Sequence, residues 1–388
     1  MTAAPPSLGT VLREWGRIGC IGFGGPPAHI RLLRQLVVER KKWITPTEFE
    51  DAIAACNLLP GPASTQLAIY CASRVRGRLG ALVGGAAFII PGLIVILALA
   101  ALFLETNPPQ WVLAAGAGAG AAVAAVALHA GISLVPASWE RRRSGARWAI
   151  YAAAGAIAAA TIGPWLVLVL LACGGLEVVF ERRLARNGAH ALGAPLLGSF
   201  PLLGAPAIAL GTLASLCWVA FKVGALSYGG GFVIIPLMHA DAVAGYHWMS
   251  DAQFLNAVAL GQITPGPVVQ TVAVIGYAAA GIPGGILASL VAFSPSFLFI
   301  LVGAERFDRL RGNATARAFL DGAGPAAIGA ILGSAVPLAM ALTQVWQLVV
   351  LAAAILLLLL ARRGVVTTLL AAAVAGVVCV LAGLPLPH

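Results

Sequence analysis

Two Pro-Gly-Pro triplets, Pro60-Gly61-Pro62 and Pro265-Gly266-Pro267, stand 205 residues apart, each among amide and hydroxyl side chains. Asn57 precedes the first and Gln262 the second. Ser64, Thr65 and Gln66 follow the first; Gln270 and Thr271 follow the second. Upstream of each lies a glycine cluster, Phe23-Gly24-Gly25-Pro26 and Tyr228-Gly229-Gly230, itself preceded by one cation, Arg17 and Lys222. Proline removes a backbone donor and clashes with the preceding turn, so a helix reaching such a triplet breaks. A break exposes N–H groups with partial positive charge at the new N-terminus, and glycine lets a ligand approach them closely. Dipoles, amides and hydroxyls of this kind suit an anion. The same residues admit a blander reading: glycines and prolines for hinging, small polar groups bonding helix to helix, and Arg17 and Lys222 snorkelling to an interface.

The elements that carry these motifs repeat. At a shift of 205, a gap-free match runs from about residue 15 to residue 90. It pairs Arg17 with Lys222, Gly19 with Gly224, Trp43 with Trp248, Phe49 with Phe254, Gly80 with Gly285 and Phe88 with Phe293. Low-complexity Ala/Leu sequence does not readily place a Trp, a Pro-Gly-Pro and an aromatic-Gly-Gly in one register, so the chain is a duplication. Thr45-Pro46-Thr47-Glu48 has the form of a capping box with Pro at the first helical position, and Ser250-Asp251-Ala252-Gln253 is its mate. Each starts a short helix that ends at a Pro-Gly-Pro.

Of 388 residues, 60% are hydrophobic and only 10% charged, against roughly 25% charged in soluble domains. Runs 80–104, 110–136, 148–180, 284–303, 318–342 and 345–361 are almost wholly apolar. At about 1.5 Å per residue they can cross a hydrocarbon core about 30 Å thick, and continuous runs without alternation choose helices. The net charge of +10 sits in arginine clusters between the runs, where cytoplasmic loops carry their excess, so the partner is a bilayer and not a nucleic acid. The first twenty residues, with Arg13, Glu14 and Arg17, do not resemble a cleavable signal peptide. Six scattered cysteines form no CxxC and read as small buried hydrophobes.

Charge also orients the halves. Segment 31–42 is strongly basic and its mate 236–247 carries no Lys or Arg; the exit from the first triplet hairpin carries Arg74, Arg76 and Arg78, and that from the second, 279–283, no charge. The first hairpin therefore enters from the cytoplasm and the second from outside. Basic loops 140–147, 181–186, 305–317 and 362–363 agree. The expected fold is an all-α integral membrane protein: two homologous halves as an inverted-topology repeat, about ten transmembrane helices plus broken, re-entrant helices. The expected domains are 1–186 and 205–388, joined by a linker at 187–204. Segment 8–22 either spans or lies along the interface, with Arg13 and Glu14 toward headgroups, and an extra apolar stretch, 192–209, precedes its mate. Asp321 reads as an N-cap or a proton-coupling carboxylate, and His129 as helix packing.

No GxxxxGK[ST], HExxH or GxSxG occurs, so neither nucleotide hydrolysis nor an intramembrane hydrolase is expected, and no cofactor or metal is implied. The duplicated pattern Gly22-Phe23-Gly24-Gly25-Pro26, Trp43, Asn57-Leu58-Leu59-Pro60-Gly61-Pro62 resembles the chromate ion transporter family, in its long two-domain form. That resemblance implies chromate efflux across the bacterial inner membrane, conferring chromate resistance. By position it carries over Phe23, Gly24, Gly25, Pro26, Pro60, Gly61, Pro62, Pro265, Gly266 and Pro267. The second half departs with Gly231 in place of Pro26. Sulfate, a tetrahedral dianion of similar size, is the alternative cargo, an anion channel the alternative mechanism, and a homodimer is compatible.

Overall fold

The computed structural model describes residues 6–57, 59, 61–105, 108–161, 166–186, 211–227, 234–303 and 313–387, and every regular element among them is helical. Of the expected features, Pro60, the linker 187–204, the stretch 192–209 and Tyr228-Gly229-Gly230 lie outside the described residues. The first half comprises α1 (Leu8–Ile21), α2 (Pro26–Arg34, continued by a π turn, Gln35–Arg40), α3 (Pro46–Cys56) and α4 (Ala63–Phe103). It continues with α5 (Gln110–Ala121), α6 (Val123–Glu140), α7 (Gly145–Thr161) and α8 (Leu166–Arg186). The second comprises α9 (Thr212–Leu226), α10 (Ile234–His239, with a π turn, Ala240–Gly245), α11 (Asp251–Ile263) and α12 (Thr271–Gly303, after a 3₁₀ turn, Val268–Gln270). Then follow α13 (Ala314–Met340), α14 (Val345–Ile355, with a π turn, Leu356–Leu360) and α15 (Val365–Leu381). Among the described residues, four stretches are long and apolar enough to cross a membrane: Ala63–Phe103, Gln110–Glu140, Val268–Gly303 and Ala314–Met340.

The start signals work as their chemistry requires. Ser250 and Gln253 close a full capping box on α11, with Ser250 Oγ accepting from Gln253 N at 3.3 Å and Gln253 Oε1 from Ser250 N at 2.9 Å. Thr45 caps α3 by accepting from Glu48 N at 3.2 Å, but the Glu48 carboxylate pairs instead with Arg74. That ion pair joins the start of α3 to the end of the first arm of α4, so the chain returns from the Pro-Gly-Pro tip toward the end it left. Two sequence expectations are corrected. Glu14 is buried and lies 3.5 Å from Lys41, because Trp15 stacks on Trp43 and draws the end of the second segment onto α1. Asp321 is no N-cap: Asn313 caps α13 by accepting from Thr315 N and Ala316 N, and Asp321 lies 3.5 Å from Arg143 Nε.

The halves repeat in backbone detail. The π turns at 35–40 and 240–245 and the positive φ of 53° at Lys42 and His247 keep the shift of 205. Beyond the tips the shift becomes 204. α4 kinks at Gly77 (φ 65°, ψ −158°) and α12 at Gly281 (φ 64°, ψ −157°). The gap-free register is thus corrected: the second half has one residue fewer after its tip. The 3₁₀ turn accounts for this, since three residues at about 2.0 Å rise cover the same about 6 Å as four α-helical ones. Gly19 packs on the Phe88 carbonyl and Gly224 on that of Ala292, so Phe88 matches Ala292 rather than Phe293.

α4 and α12 cross at the centre, α1 packing on α4 and α9 on α12. Around them, α13 packs against α6, α7 and α8, and α5 against α11 and α15. The contacts use glycine as helix-packing surface: a Cβ on Gly155 would lie 1.8 Å from Ala326 O, and one on Gly329 1.8 Å from Ala152 O.

Candidate functional site

Each tip meets the opposite half. Gly266 N–H donates to Gly22 O at 3.0 Å, and the Cβ position of Gly25 lies 3.6 Å from Val268. The Cβ position of Gly61 lies 3.3 Å from Gly224 O and 3.4 Å from Ser296 Oγ. Each triplet seats on the long helix of the other half at matching places: Gly61 by Ser296, and Gly92 by the Pro265 carbonyl, 2.3 Å from where its Cβ would be. Under the corrected shift of 204, Pro91-Gly92 and Pro295-Ser296 are repeat mates.

A hydrogen-bonded frame holds this crossing. His29, wholly buried, donates from Nε2 to Gly22 O at 2.9 Å. Its Nδ1 is then left to accept from the Ser64 hydroxyl at 3.2 Å. Gly22 O therefore receives donors from both halves. In the second half Gln270 Nε2 donates to Ile89 O at 2.9 Å while its Oε1 accepts from Ser289 at 3.0 Å.

Against this satisfied frame stand unsatisfied groups. Thr65 Oγ1, Ser227 Oγ, Gln262 Nε2 and Ser296 Oγ are buried with no hydrogen-bond partner among the described residues. An orphaned buried polar group costs about 1–3 kcal/mol. Thr65 and Gln262 flank the tips in sequence, Ser296 lies beside Gly61, and Ser227 caps α9, whose Gly224 carbonyl also borders Gly61. Each offers a neutral donor, so the set can solvate an oxyanion without a buried cation. The backbone contributes less at α2 than expected, because Pro26 and Pro27 open that helix with no N–H.

The structure gathers Ser64, Thr65, Gln66, Gln262, Pro265, Gly266, Pro267, Gln270 and Thr271 in this buried region, with Gly61 and Pro62. Gly25 and Pro26 are half-buried, Phe23 and Gly24 exposed, and Asn57 faces a cavity. The two cations are elsewhere. Arg17 is exposed on α1, and Lys222 Nζ binds both carboxylate oxygens of Asp241 at 2.8 and 2.7 Å. Replacing a buried ion pair with apolar residues of similar size is often neutral, whereas removing one partner leaves a lone buried charge. The joint variant Lys222→Met/Asp241→Leu is therefore expected to keep its transport rate within about threefold of wild type, measured as anion flux in vesicles. Sequence reasoning missed His29, Ser227 and Ser296. Ser227 is the repeat mate of Gly22, and Ser296 becomes visible only after the one-residue slip.

Among the described residues two cavities bear on this region, one of them touching it. One of about 830 Å³ lies between α3, α6 and α13; Asn57, Leu59 and Gly61 line its inner end. The other, about 540 Å³, lies between α5, α11 and α13, reaches Gly120 and Asn256, and is lined by no residue of the second tip.

The family model described as chromate transporter matches residues 9–177 and 214–377. The chain is 34% identical over 351 residues to a chromate transport protein of Cupriavidus metallidurans, covering 87% of this chain and 84% of that one. It is 29% identical to a probable chromate transport protein of Synechococcus elongatus (86% and 84% covered) and 29% identical to a chromate transport protein of Pseudomonas aeruginosa (87% and 83%). No solved structure matches. With its long apolar helices, the chain is a multi-pass membrane transporter and belongs to the chromate transporter family.

Proposed function

We propose that the protein exports chromate across the bacterial inner membrane by alternating access and so confers chromate resistance. The halves, 1–186 and 205–388, act as an inverted-topology repeat that rocks about the crossed tips. The observation that carries this reading is that each tip seats on the opposite half, Gly61 by Ser296 and Gly266 by Gly22, with buried donors without partners, Thr65, Ser227, Gln262 and Ser296, on the segments concerned. Neutral donors bind a dianion tightly enough to select it and, lacking a fixed cation, release it again. The gradient supports export: moving one charge across 100 mV is worth about 2.3 kcal/mol, so a dianion leaving a negative interior gains about 4.6 kcal/mol.

Inverted vesicles containing the protein are expected to accumulate chromate saturably under an inside-positive potential, and to show counterflow. Stronger inhibition by sulfate than by unlabelled chromate would make sulfate the cargo. Linear, non-saturating flux without counterflow would make the protein a channel.

A further inference from the structure

The two cavities differ in charge as well as depth. Arg141, Arg142, Arg143 and Arg317 line the larger one, against two carboxylates, Glu50 and Asp321. Arg143 is held by Glu181 and Asp321. Arg141 and Arg142 also donate to the carbonyls of Ala137 (3.2 Å) and Trp139 (2.6 Å), neutral acceptors that cancel no charge, and Arg141 shares the Asp321 carboxylate electrostatically with Arg143. The Arg142 guanidinium also stacks 3.8 Å from the Trp139 ring centroid, which fixes its place at the rim. The smaller cavity has Glu105 and Asp251 in its lining and no Lys or Arg; Asp251 bonds His239 at 2.7 Å.

They lie at opposite ends of the same spans. The larger touches Arg317 near the start of α13 and Arg141 just past α6, and the smaller touches Met340 at the end of α13 and Leu113 on α5. The 27 residues of α13 put about 40 Å between those ends at about 1.5 Å per residue. The two cavities also differ in what they touch. The arginine-lined cavity runs in to buried Gly61 at the first tip, while the other stops where Asn256 meets Gly116 and Gly120 of α5.

We propose that the arginine-rimmed cavity is a capture vestibule for small oxyanions feeding the first tip, and that the carboxylate-lined cavity is the exit vestibule. The claim rests on the transport reading above for its cargo, but not for its electrostatics. A basic cleft with low-dielectric walls concentrates anions by about ten- to a thousandfold. The exit has the opposite sign, so a released anion is repelled from rebinding there; the charge difference lowers the apparent KM on the arginine side, and the electrochemical gradient sets the direction of net flux.

The test reads the field directly. Ala137→Cys lies in the arginine-rimmed lining and Leu113→Cys in the other. Each full-length protein is labelled with an anionic sulfonatoethyl and a cationic trimethylammonioethyl methanethiosulfonate, with modification at that residue read by mass spectrometry. At residue 137 the anionic reagent is expected to react faster by about tenfold or more relative to the cationic one, each normalised to a free thiol in solution. The preference should collapse toward parity in Arg141→Gln/Arg142→Gln/Arg317→Gln and survive in the matching lysine variants. At residue 113 the preference should reverse. Equal preferences at the two positions, or one at 137 that ignores the arginines, would overturn the vestibules whatever the cargo. In parallel, Arg141→Gln/Arg142→Gln should raise the chromate KM about tenfold with kcat within about twofold, and should flatten its salt dependence. Field asymmetry in a protein that moves no chromate would sink the cargo reading alone; chromate flux without asymmetry would sink the vestibules alone.

Discussion

Gly61→Ala is expected to lower kcat/KM for chromate by more than about tenfold while the protein still reaches the membrane. Two effects act at this residue. Its φ of 116° lies where an L side chain costs about 1–3 kcal/mol. A Cβ there would also stand 2.7 Å from Gln66 Nε2, 3.3 Å from Gly224 O and 3.4 Å from Ser296 Oγ. The methyl group thus enters the place where both halves meet and displaces an amide at the start of α4. A tenfold loss needs only about 1.4 kcal/mol at the transition state, less than either effect is able to supply. Gly77→Ala separates strain from site. Its φ is 65°, yet nothing lies within 4 Å of its Cβ position. It should lose about 1 kcal/mol of stability with flux near wild type. Equal loss of flux in both variants would show that kink geometry, not the crossing, controls transport.

Ser227→Ala/Ser296→Ala should separate stability from affinity. Both hydroxyls are buried without a partner among the described residues, and an orphaned buried group is worth about 1–3 kcal/mol of destabilisation. Removing them should leave the anion-free protein as stable as wild type or more so, by thermal unfolding in detergent. Chromate loses two donors, and charge-assisted hydrogen bonds contribute about 1.5–3 kcal/mol each, so KM should rise by more than about tenfold. A purely structural role predicts lower stability and unchanged KM. That outcome would remove these two serines from the site.

How much of this was legible in the residues can be judged element by element. Helical character, apolar spans and the duplication follow from composition and spacing, because lipid leaves the backbone few ways to satisfy its hydrogen bonds. The Pro-Gly-Pro breaks were legible for the same kind of reason, since proline forbids the bond that would continue the helix. Capping signals at Thr45 and Ser250 located both short helices to the residue. What failed was the pairing of side chains across helices. Lys222 looked like a substrate cation because its partner Asp241 lies 19 residues away on another helix. Glu14 looked like a headgroup contact because Lys41 is equally distant in kind.

The sequence by itself determined the helices, their breaks, the twofold repetition and the family, since these rest on local propensities, backbone donors and linear spacing. Only the tertiary structure decided which break meets which. It brought Gly266 to Gly22 and Gly61 to Ser296, and it converted the shift of 205 to 204 through one 3₁₀ turn. It also placed Gly61 of the first tip in the lining of an arginine-rimmed cavity. Those choices depend on how α4 and α12 pack across one another, a contact between residues some two hundred positions apart that no local pattern encodes.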